Sequence, residues 1–445
     1  MQEGVRALGY QAQYEAKKCT PEQAVSLIQN DDAVLVAGEP GALLEALYKA
    51  RTRFDGLRLY SVFGFTGRMG ADFHTGSEAG HILVQSLVVG RNEWGAWQGG
   101  AIDQGMVNLS DAEAYLENVC QPTVLLIHCP PMDDDGYFYP GVNPGCGAAA
   151  LTRGAKVVIQ VNAHLPIIHT DCPRIHIGSV AALCESAEPI PFIGPWDSEP
   201  TELDKSIAGF VAEIIPHGAT IQSGLGMLPD LTCRYLENHK DLGIHTDCFS
   251  DAHLHLIGKG AVNNSKKEVL HGLSVGGYFN VSQENYHAIQ NNPAVMMKSL
   301  SWVCEPATVR QISNMMTINT GICMDFRAQI CAASPGMHFS GGVGSHLDFA
   351  RGAKRSAGGK SFILMRSTFL DEEGNLQSSI RPALPEGSLV NIPRSDVMYV
   401  VTEYGAADFR DLSVKGRVEA MIALAHPDFR EQLTDVAKMH GFANA

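Results

Sequence analysis

The chain has 445 residues and a mass of 47.9 kDa, which exceeds one ordinary hydrophobic core and predicts two or three domains. Its 33 basic and 48 acidic residues give a formal charge of −15, and a negative field of this size disfavours nucleic-acid binding. The sequence has no apolar run long enough to span a bilayer, and its N-terminal residues lack the apolar core of a secretory signal. Its eleven cysteines include no C-x-x-C pair. We therefore expect a cytoplasmic protein with reduced thiols and no nucleic-acid or membrane partner.

The first part of the chain alternates helix signals with short apolar runs. Thr20-Pro21-Glu22-Gln23 combines a helix cap, a proline at the first helical position and a capping-box glutamine. The runs DAVLVAG, LRLYSVFG, TVLLIHC and AKVVIQVN do not alternate with polar residues, which is typical of parallel strands buried on both faces. This pattern predicts an α/β domain over residues 1–195.

A proline-rich segment, EPIPFIGPWDSEP, predicts an extended connector and a domain boundary after residue 195. An amphipathic helix follows, with Leu203, Ile207 and Phe210 on its apolar stripe. The α/β texture then returns in ATIQS, GIHTDCF, KSFILM, SLVNI and VMYVVTE. We predict a second α/β domain over residues 196–445, with the active site in a cleft between the two domains.

The segment Gly224-Leu225-Gly226-Met227-Leu228 lies between a predicted strand and a helix that Pro229 is expected to start. Its glycines allow a tight turn, and the N–H groups at a helix start can bind a phosphate or a thioester oxyanion. An ordinary tight turn explains the same residues. The dinucleotide-binding pattern G-x-G-x-x-G is not met, because Pro229 stands at its last glycine position.

A second glycine-rich turn, Phe339 to Gly344, contains Gly341 and Gly342. It precedes a dense basic stretch that ends at Lys360. These cations could meet the phosphates of a nucleotide-containing cofactor, and a solvated helix face is an equal alternative.

Two carboxylates stand where a strand could deliver them to a site. Asp247 follows His245 and Thr246 in a predicted strand of the second domain, and Glu39 follows the first strand of the chain. Glu39 could simply cap the next helix. The histidines around Asp247 do not have ligand spacing, so we expect no metal.

Five ordered motifs together resemble the acetyl-CoA hydrolase/transferase family, close to the 4-hydroxybutyrate CoA-transferases. They are IQSGLGMLPD, LGIHTDCFSD with GKGAV, FSGGVGSHLDFARGA, VVTEYGAADFR and AHPDFR, with weaker matches in PPMDDDGYFYPG and VNAHLP. The resemblance implies two α/β domains that share a catalytic cleft. It also implies ping-pong transfer of coenzyme A, in which a glutamate forms an acyl anhydride and then an enzyme–CoA thioester.

The chain departs from the family pattern at two places. Asp247 stands where the family has its nucleophilic glutamate, in a run like H-[ST]-E-x-F-S-D. Its carboxylate is shorter by one methylene, and a misplacement of ~1 Å can cost on the order of 10²-fold in rate. Ser345 and His346 stand where relatives usually carry Gly-Gln, so the acyl pocket could differ.

The resemblance thus predicts a CoA-transferase with Asp247 as the nucleophile and Glu39 as the alternative catalytic carboxylate. The implied CoA-binding residues are Gly224, Leu225, Gly226, Met227, Leu228, Gly341, Gly342 and Lys360. Coenzyme A enters as a substrate and no metal is expected. The partners are a short acyl-CoA (4-hydroxybutyryl, butyryl or itaconyl) and acetate or succinate, with a homo-oligomer left open. An acyl-CoA hydrolase and a non-catalytic acyl-CoA-binding protein are the alternatives.

Overall fold

The computed structural model describes residues 2–63, 81–90, 93–100, 102–190, 192–194, 199–337 and 341–443. The chain forms two compact units. The first unit comprises Met1–Ile193, Gly276–Trp302 and Ser340–Gly344, and the second comprises Gly194–Val275, Val303–Phe339 and Ser345–Ala445. The predicted boundary after residue 195 lies outside the described residues and stays a prediction. The structure adds that two later segments belong to the first unit.

Both units alternate strands with helices, so the predicted α/β class is confirmed. The strands in chain order are β1 (Ala33–Ala37), β2 (Leu57–Phe63), β3 (Ile82–Val89), β4 (Ile102–Gln104), β5 (Val124–Cys129), β6 (Tyr137–Phe138), β7 (Lys156–Val161), β8 (Ile175–His176), β9 (Val180–Glu185), β10 (Thr220–Ser223), β11 (Gly243–Ser250), β12 (Ser274–Asn280), β13 (Val295–Met297), β14 (Met315–Thr320), β15 (Cys323–Asp325), β16 (Ile330–Cys331), β17 (Gly341–Gly342), β18 (Lys360–Leu364), β19 (Thr368–Leu370), β20 (Leu376–Ser378), β21 (Ile380–Arg381), β22 (Tyr399–Thr402) and β23 (Gly405–Asp408).

The α-helices have the bounds Gln2–Lys17, Pro21–Val25, Gly41–Lys49, Trp94–Gln98, Ala112–Tyr115, Gly147–Thr152, Glu202–Ile214, Met227–Tyr235, Asp251–Gly258, Tyr286–Ile289, Leu300–Cys304, Pro306–Val309, His346–Arg355, Val414–Leu424 and Pro427–Met439. The helix after Thr20 has the predicted capping box but ends at Val25. The helix Glu202–Ile214 begins after Thr201, whose hydroxyl accepts a hydrogen bond from the Asp204 N–H.

The first unit contains a mainly parallel sheet in the order β17-β3-β2-β1-β5-β7-β9, with β4 also beside β3. Strands β1 and β5 are buried along their whole length, because helices cover both faces of the sheet. Strand β17 is antiparallel to β3, with Gly341 opposite Val89 and Gly342 opposite Val88. The late segment of the chain thus completes the sheet of the first unit.

The second unit contains parallel strands in the order β11-β10-β14-β18-β22, followed by antiparallel β23. The prediction of a strand at SLVNI is wrong. Within this run, only Ile392 takes part in strand pairing, and it does so through an isolated bridge to Ile330. The Asn391 side chain accepts from the Ala332 N–H, and Pro393 cannot donate to a ladder. These residues therefore form a loop that is held by the Asn391 side chain and by backbone hydrogen bonds to Ile330.

Candidate active site

The polar cluster of the second unit lies at the carboxyl ends of its central strands. Ile244 of β11 is level with Ile221 of β10, so Asp247 lies three residues further along its strand. All eight residues of β11 are buried. Open parallel sheets bind ligands at this edge, where the strands end and the chain turns into helices.

Asp247 is 6% exposed, and its two carboxylate oxygens have different partners. Ser345 donates from Oγ to Oδ2 at 2.5 Å, and Gln222 donates from Nε2 to Oδ1 at 3.2 Å. Thr246 Oγ1 lies 3.5 Å from Oδ1. Among the described residues, no lysine, arginine or histidine forms an ion pair with this carboxylate. It is therefore a buried acid held by neutral donors.

Gln222 is held in place by a second amide. Its Oε1 accepts from Asn319 Nδ2 at 2.9 Å, and its Nε2 lies 3.2 Å from Asn319 Oδ1. Both side chains are nearly or fully buried, and they come from the adjacent strands β10 and β14. This reciprocal pair fixes the amide orientation and so aims the Gln222 NH₂ group at Asp247.

Burial raises the pKa of the Asp247 carboxyl above its ordinary value, because the charged form loses its hydration. The hydrogen bonds from Ser345 and Gln222 act in the opposite direction, since they stabilise the carboxylate. A partly desolvated carboxylate that lacks a counter-cation is a stronger nucleophile than a hydrated one. Its electrostatics therefore suit attack on a polarised carbonyl carbon.

The turn after β10 brings backbone N–H groups to the same edge. The helix begins at Met227, two residues earlier than predicted, so Pro229 is its third residue. The first N–H groups of a helix have no partner within the helix, so the missing N–H of this proline costs no helical hydrogen bond. Gly226 has a φ of +152°, which favours glycine, and Leu225 is 38% exposed. The Gly224 N–H donates to Ile318 O at 2.9 Å, which leaves the N–H groups of the following residues as candidate anion donors.

The other predicted residues lie elsewhere. Lys360 begins β18, level with Met316 of β14, at the amino edge of the sheet rather than beside Asp247. Gly341 and Gly342 belong to the first unit, where a Cβ on Gly342 would lie 2.4 Å from the Leu87 carbonyl oxygen. Close approach of two strands thus requires that glycine. Glu39 follows β1 of the first unit and is half-buried. Their predicted roles stay predictions.

Two other predicted features now have positions. In the basic stretch before Lys360, Arg351 and Lys354 both pair with Asp396, and an open groove of about 600 Å³ is lined by Arg351, Arg355 and Asp396. His346 is buried, which lowers its pKa to about 4 and keeps its imidazole neutral. Its Nε2 has no hydrogen-bond partner among the described residues.

The three histidines near Asp247 each have a partner within the protein. His245 Nε2 lies 2.9 Å from the Val303 carbonyl oxygen, His253 Nδ1 accepts from the Ser250 N–H, and His255 pairs with Glu237. In the part of the chain that the structure describes, no group of His, Cys, Asp and Glu residues is arranged to hold a metal ion. The described helices also include none that is long and apolar enough to cross a membrane.

Sequence analysis missed the two amides that organise the site. Gln222 was visible as a polar residue within the short apolar run ATIQS, and a buried glutamine in a parallel strand needs a partner. Asn319, the next-to-last residue of MMTINT, is a second buried polar residue of this kind. Ser345 was noted only as a departure from a family pattern. Contact between Ser345 and Asp247 joins residues 98 positions apart and has no local sequence signal.

The protein has two α/β units, and the second contains a buried carboxylate and a glycine turn. This combination is typical of enzymes that carry out covalent acyl transfer. Models of the acetyl-CoA hydrolase/transferase N-terminal and C-terminal domains match residues 3–194 and 282–437. The chain belongs to the acetyl-CoA hydrolase/transferase family, which confirms the predicted membership. Asp247 and the glycine turn lie between the two matched ranges.

Relatives align over nearly the whole chain. A succinyl-CoA:cyclohexane-1-carboxylate CoA transferase from Geobacter metallireducens is 32% identical over 96% of this chain and 97% of its own. A 4-hydroxybutyrate coenzyme A transferase from Clostridium kluyveri is also 32% identical, over 96% and 98%. The crystal structure of RipA from Yersinia pestis superposes with a TM-score of 0.90 at 30% identity, over 97% of this chain and 99% of that one.

Proposed function

We propose that the protein is a CoA-transferase that moves coenzyme A between a short-chain acyl-CoA and a small carboxylate, with Asp247 as the covalent nucleophile. The observation that carries the proposal is the state of Asp247, a buried carboxylate with neutral donors and no cationic partner among the described residues. The names of the full-length relatives support CoA transfer as the reaction.

The reaction begins when Asp247 attacks the thioester carbonyl carbon. The carbon–sulfur bond breaks, CoA leaves as a thiolate, and a mixed anhydride remains on the enzyme. The thiolate then attacks Cγ of Asp247, which releases the first acid and leaves an enzyme–CoA thioester. A second carboxylate attacks this thioester, and the returning thiolate takes the new acyl group and regenerates Asp247. Each step exchanges one leaving group for one nucleophile.

The turn from Gly226 to Leu228 would bind the oxyanion of the acyl carbonyl, because its N–H groups begin a helix and lack helical acceptors. The acyl donor would be 4-hydroxybutyryl-, butyryl- or itaconyl-CoA, and the acceptor acetate or succinate. Burial of Asp247 limits access of water, which favours transfer over hydrolysis. The alternative catalytic role of Glu39, the CoA-binding roles of Lys360, Gly341 and Gly342, the compartment and the oligomeric state stay predictions.

Chemical trapping tests the nucleophile. The protein is incubated with an acyl-CoA alone and reduced with borohydride, which converts an aspartyl thioester into an alcohol. Mass spectrometry should find this reduction on the peptide that contains Asp247, and none in Asp247→Asn. An adduct on a peptide containing Glu39 would assign the role to that residue. CoA release that is independent of added acetate would instead indicate a hydrolase.

A further inference from the structure

Ser345 occupies a helix-capping position without capping the helix. It directly precedes His346–Arg355, and a serine at this position normally accepts a hydrogen bond from an N–H group of the first turn. Here the side chain makes no such bond. Its Oγ lies 2.5 Å from Oδ2 of Asp247 instead, and since a carboxylate only accepts, the serine proton points to Oδ2. The hydroxyl therefore serves the carboxylate rather than the helix.

The two oxygens of Asp247 are held unequally. The contact at Oδ2 is short, whereas Oδ1 has Gln222 at 3.2 Å and Thr246 at 3.5 Å. The Thr246 hydroxyl also lies 3.0 Å from the Cys248 carbonyl oxygen, so its single proton has a better acceptor. Short charge-assisted hydrogen bonds are the stronger ones. Among the side-chain donors the shortest bond is thus at Oδ2, so we assign Oδ1 as the attacking oxygen; the backbone N–H groups of Asp247 and Cys248 add further hydrogen bonds to the carboxylate.

We propose that Ser345 is a catalytic hydrogen-bond donor, which holds Oδ2 while Oδ1 attacks and which stabilises the negative charge that develops on Oδ2. This inference rests on the proposed function. Oδ1 bonds to the acyl carbon as the carbon–sulfur bond breaks. When the thiolate attacks Cγ, the electron pair of the carbonyl moves to Oδ2, and the charge returns when the Cγ–Oδ1 bond breaks and Oδ1 leaves with the acid. No proton moves in either step, so the hydroxyl acts only as a fixed donor.

The same contact explains why a short acidic side chain is accommodated here. Ser345 Oγ lies 2.5 Å from Oδ2, so a side chain longer by one methylene that kept the same direction would have to displace this hydroxyl. Ser345 also restrains the carboxylate more closely than Gln222 and Thr246 do, because its hydrogen bond is shorter. Asp247 and Ser345 therefore act as one pair.

The test removes the hydroxyl and compares it with a matched serine. Ser345→Ala and Ser345→Gly should lower kcat by about 10²-fold and leave KM within about 3-fold, because the donor acts mainly when charge develops. The acid limb of the activity profile should move to higher pH, since the carboxylate loses a hydrogen bond. Ser345→Thr keeps the hydroxyl and should recover most of the rate. Ser361→Ala is the control, because Ser361 is buried on β18 and its Oγ has no partner among the described residues.

The inference is overturned if both hydroxyl-free variants match Ser361→Ala in kcat and pH profile. Ser345→Gly guards against misfolding, because glycine is tolerated at a helix N-cap. Asp247→Glu combined with Ser345→Gly should lose less than the product of the two single losses, since each change breaks the same contact. If the loss in the double variant equals the product of the two single losses, the two residues act independently and the pairing is wrong. Borohydride trapping in Asp247→Asn tests the proposed function separately. An adduct in this variant would contradict both Asp247 as the nucleophile and Ser345 as its donor. If Asp247→Asn gives no adduct and Ser345→Ala is fully active, only the role of Ser345 is contradicted.

Discussion

Two buried glutamines, one in each unit, have opposite tasks. Gln160 on β7 of the first unit accepts from the N–H groups of Ala42 and Leu43 at 2.9 and 3.3 Å and so caps the helix Gly41–Lys49. Gln222 on β10 of the second unit donates to a carboxylate instead. Both are completely buried in mainly parallel sheets. A buried amide alone therefore does not mark a functional site, and Gln222 differs from Gln160 in that it faces an ionisable group with no cationic partner among the described residues.

Removal of the ionisable group should have the largest effect. Asp247→Asn keeps the shape of the side chain but removes the carboxylate that we propose as the nucleophile, so kcat/KM should fall by about 10³-fold or more. A transferase assay with butyryl-CoA and acetate measures this. A loss below 10-fold, with the fold intact by circular dichroism, would assign the chemistry to another residue.

Exchange of each glutamine for leucine sharpens the comparison. Gln222→Leu removes a hydrogen bond to a charged group, so kcat/KM should fall by about 10- to 100-fold. Gln160→Leu leaves two N–H groups of a helix start without an acceptor and should lower the free energy of unfolding by about 1–3 kcal/mol.

Urea unfolding and the transferase assay, run on both glutamine variants, separate the two tasks. Activity in folded Gln160→Leu should stay within about 3-fold of the parent. If both variants lose activity equally, the distinction between a capping amide and a site amide is wrong.

Acidification should stop the reaction at a higher pH than an ordinary aspartate would. Burial raises the pKa of Asp247, and in the proposed mechanism only the carboxylate attacks, so activity should be lost as pH falls through this raised value. The acid limb of kcat/KM against pH, measured on the folded protein, reports it. A limb at or below the ordinary aspartate pKa would show that the site hydrates the carboxylate.

The last difference between the two units concerns acid stability. Burial lowers the pKa of His245 and His253 to about 3 and of His346 to about 4 in the second unit, against about 4 for His128 in the first. The unfolded chain binds these protons near pH 6.5, so stability is lost as pH falls below that value. Calorimetry between pH 7 and 5 should show the second unit losing more. Equal losses would contradict this.

The sequence was sufficient for the architecture and insufficient for the contacts. Unalternating runs such as DAVLVAG predicted buried parallel strands, because hydrophobic burial on both faces leaves a local signature. The loop at Ile392 was mistaken for a strand, since its fate depends on the distant partners Ile330 and Ala332. The contact between Ser345 and Asp247 depends on a chain path of 98 residues, which no local pattern encodes.

Asp247 lies on β11, and the amino end of this strand contacts a buried amine, the side chain of Lys267. Lys267 is 1% exposed, donates from Nζ to the carbonyl oxygens of Ile244 and Leu273, and has a pKa that burial lowers to about 7. The lowered pKa favours the neutral, nucleophilic amine of Lys267 over that of an ordinary lysine, whereas its burial shields it from acylating reagents. The rate at which an acylating reagent labels Lys267 would thus report how often the amino end of β11 opens, without a probe introduced by mutation.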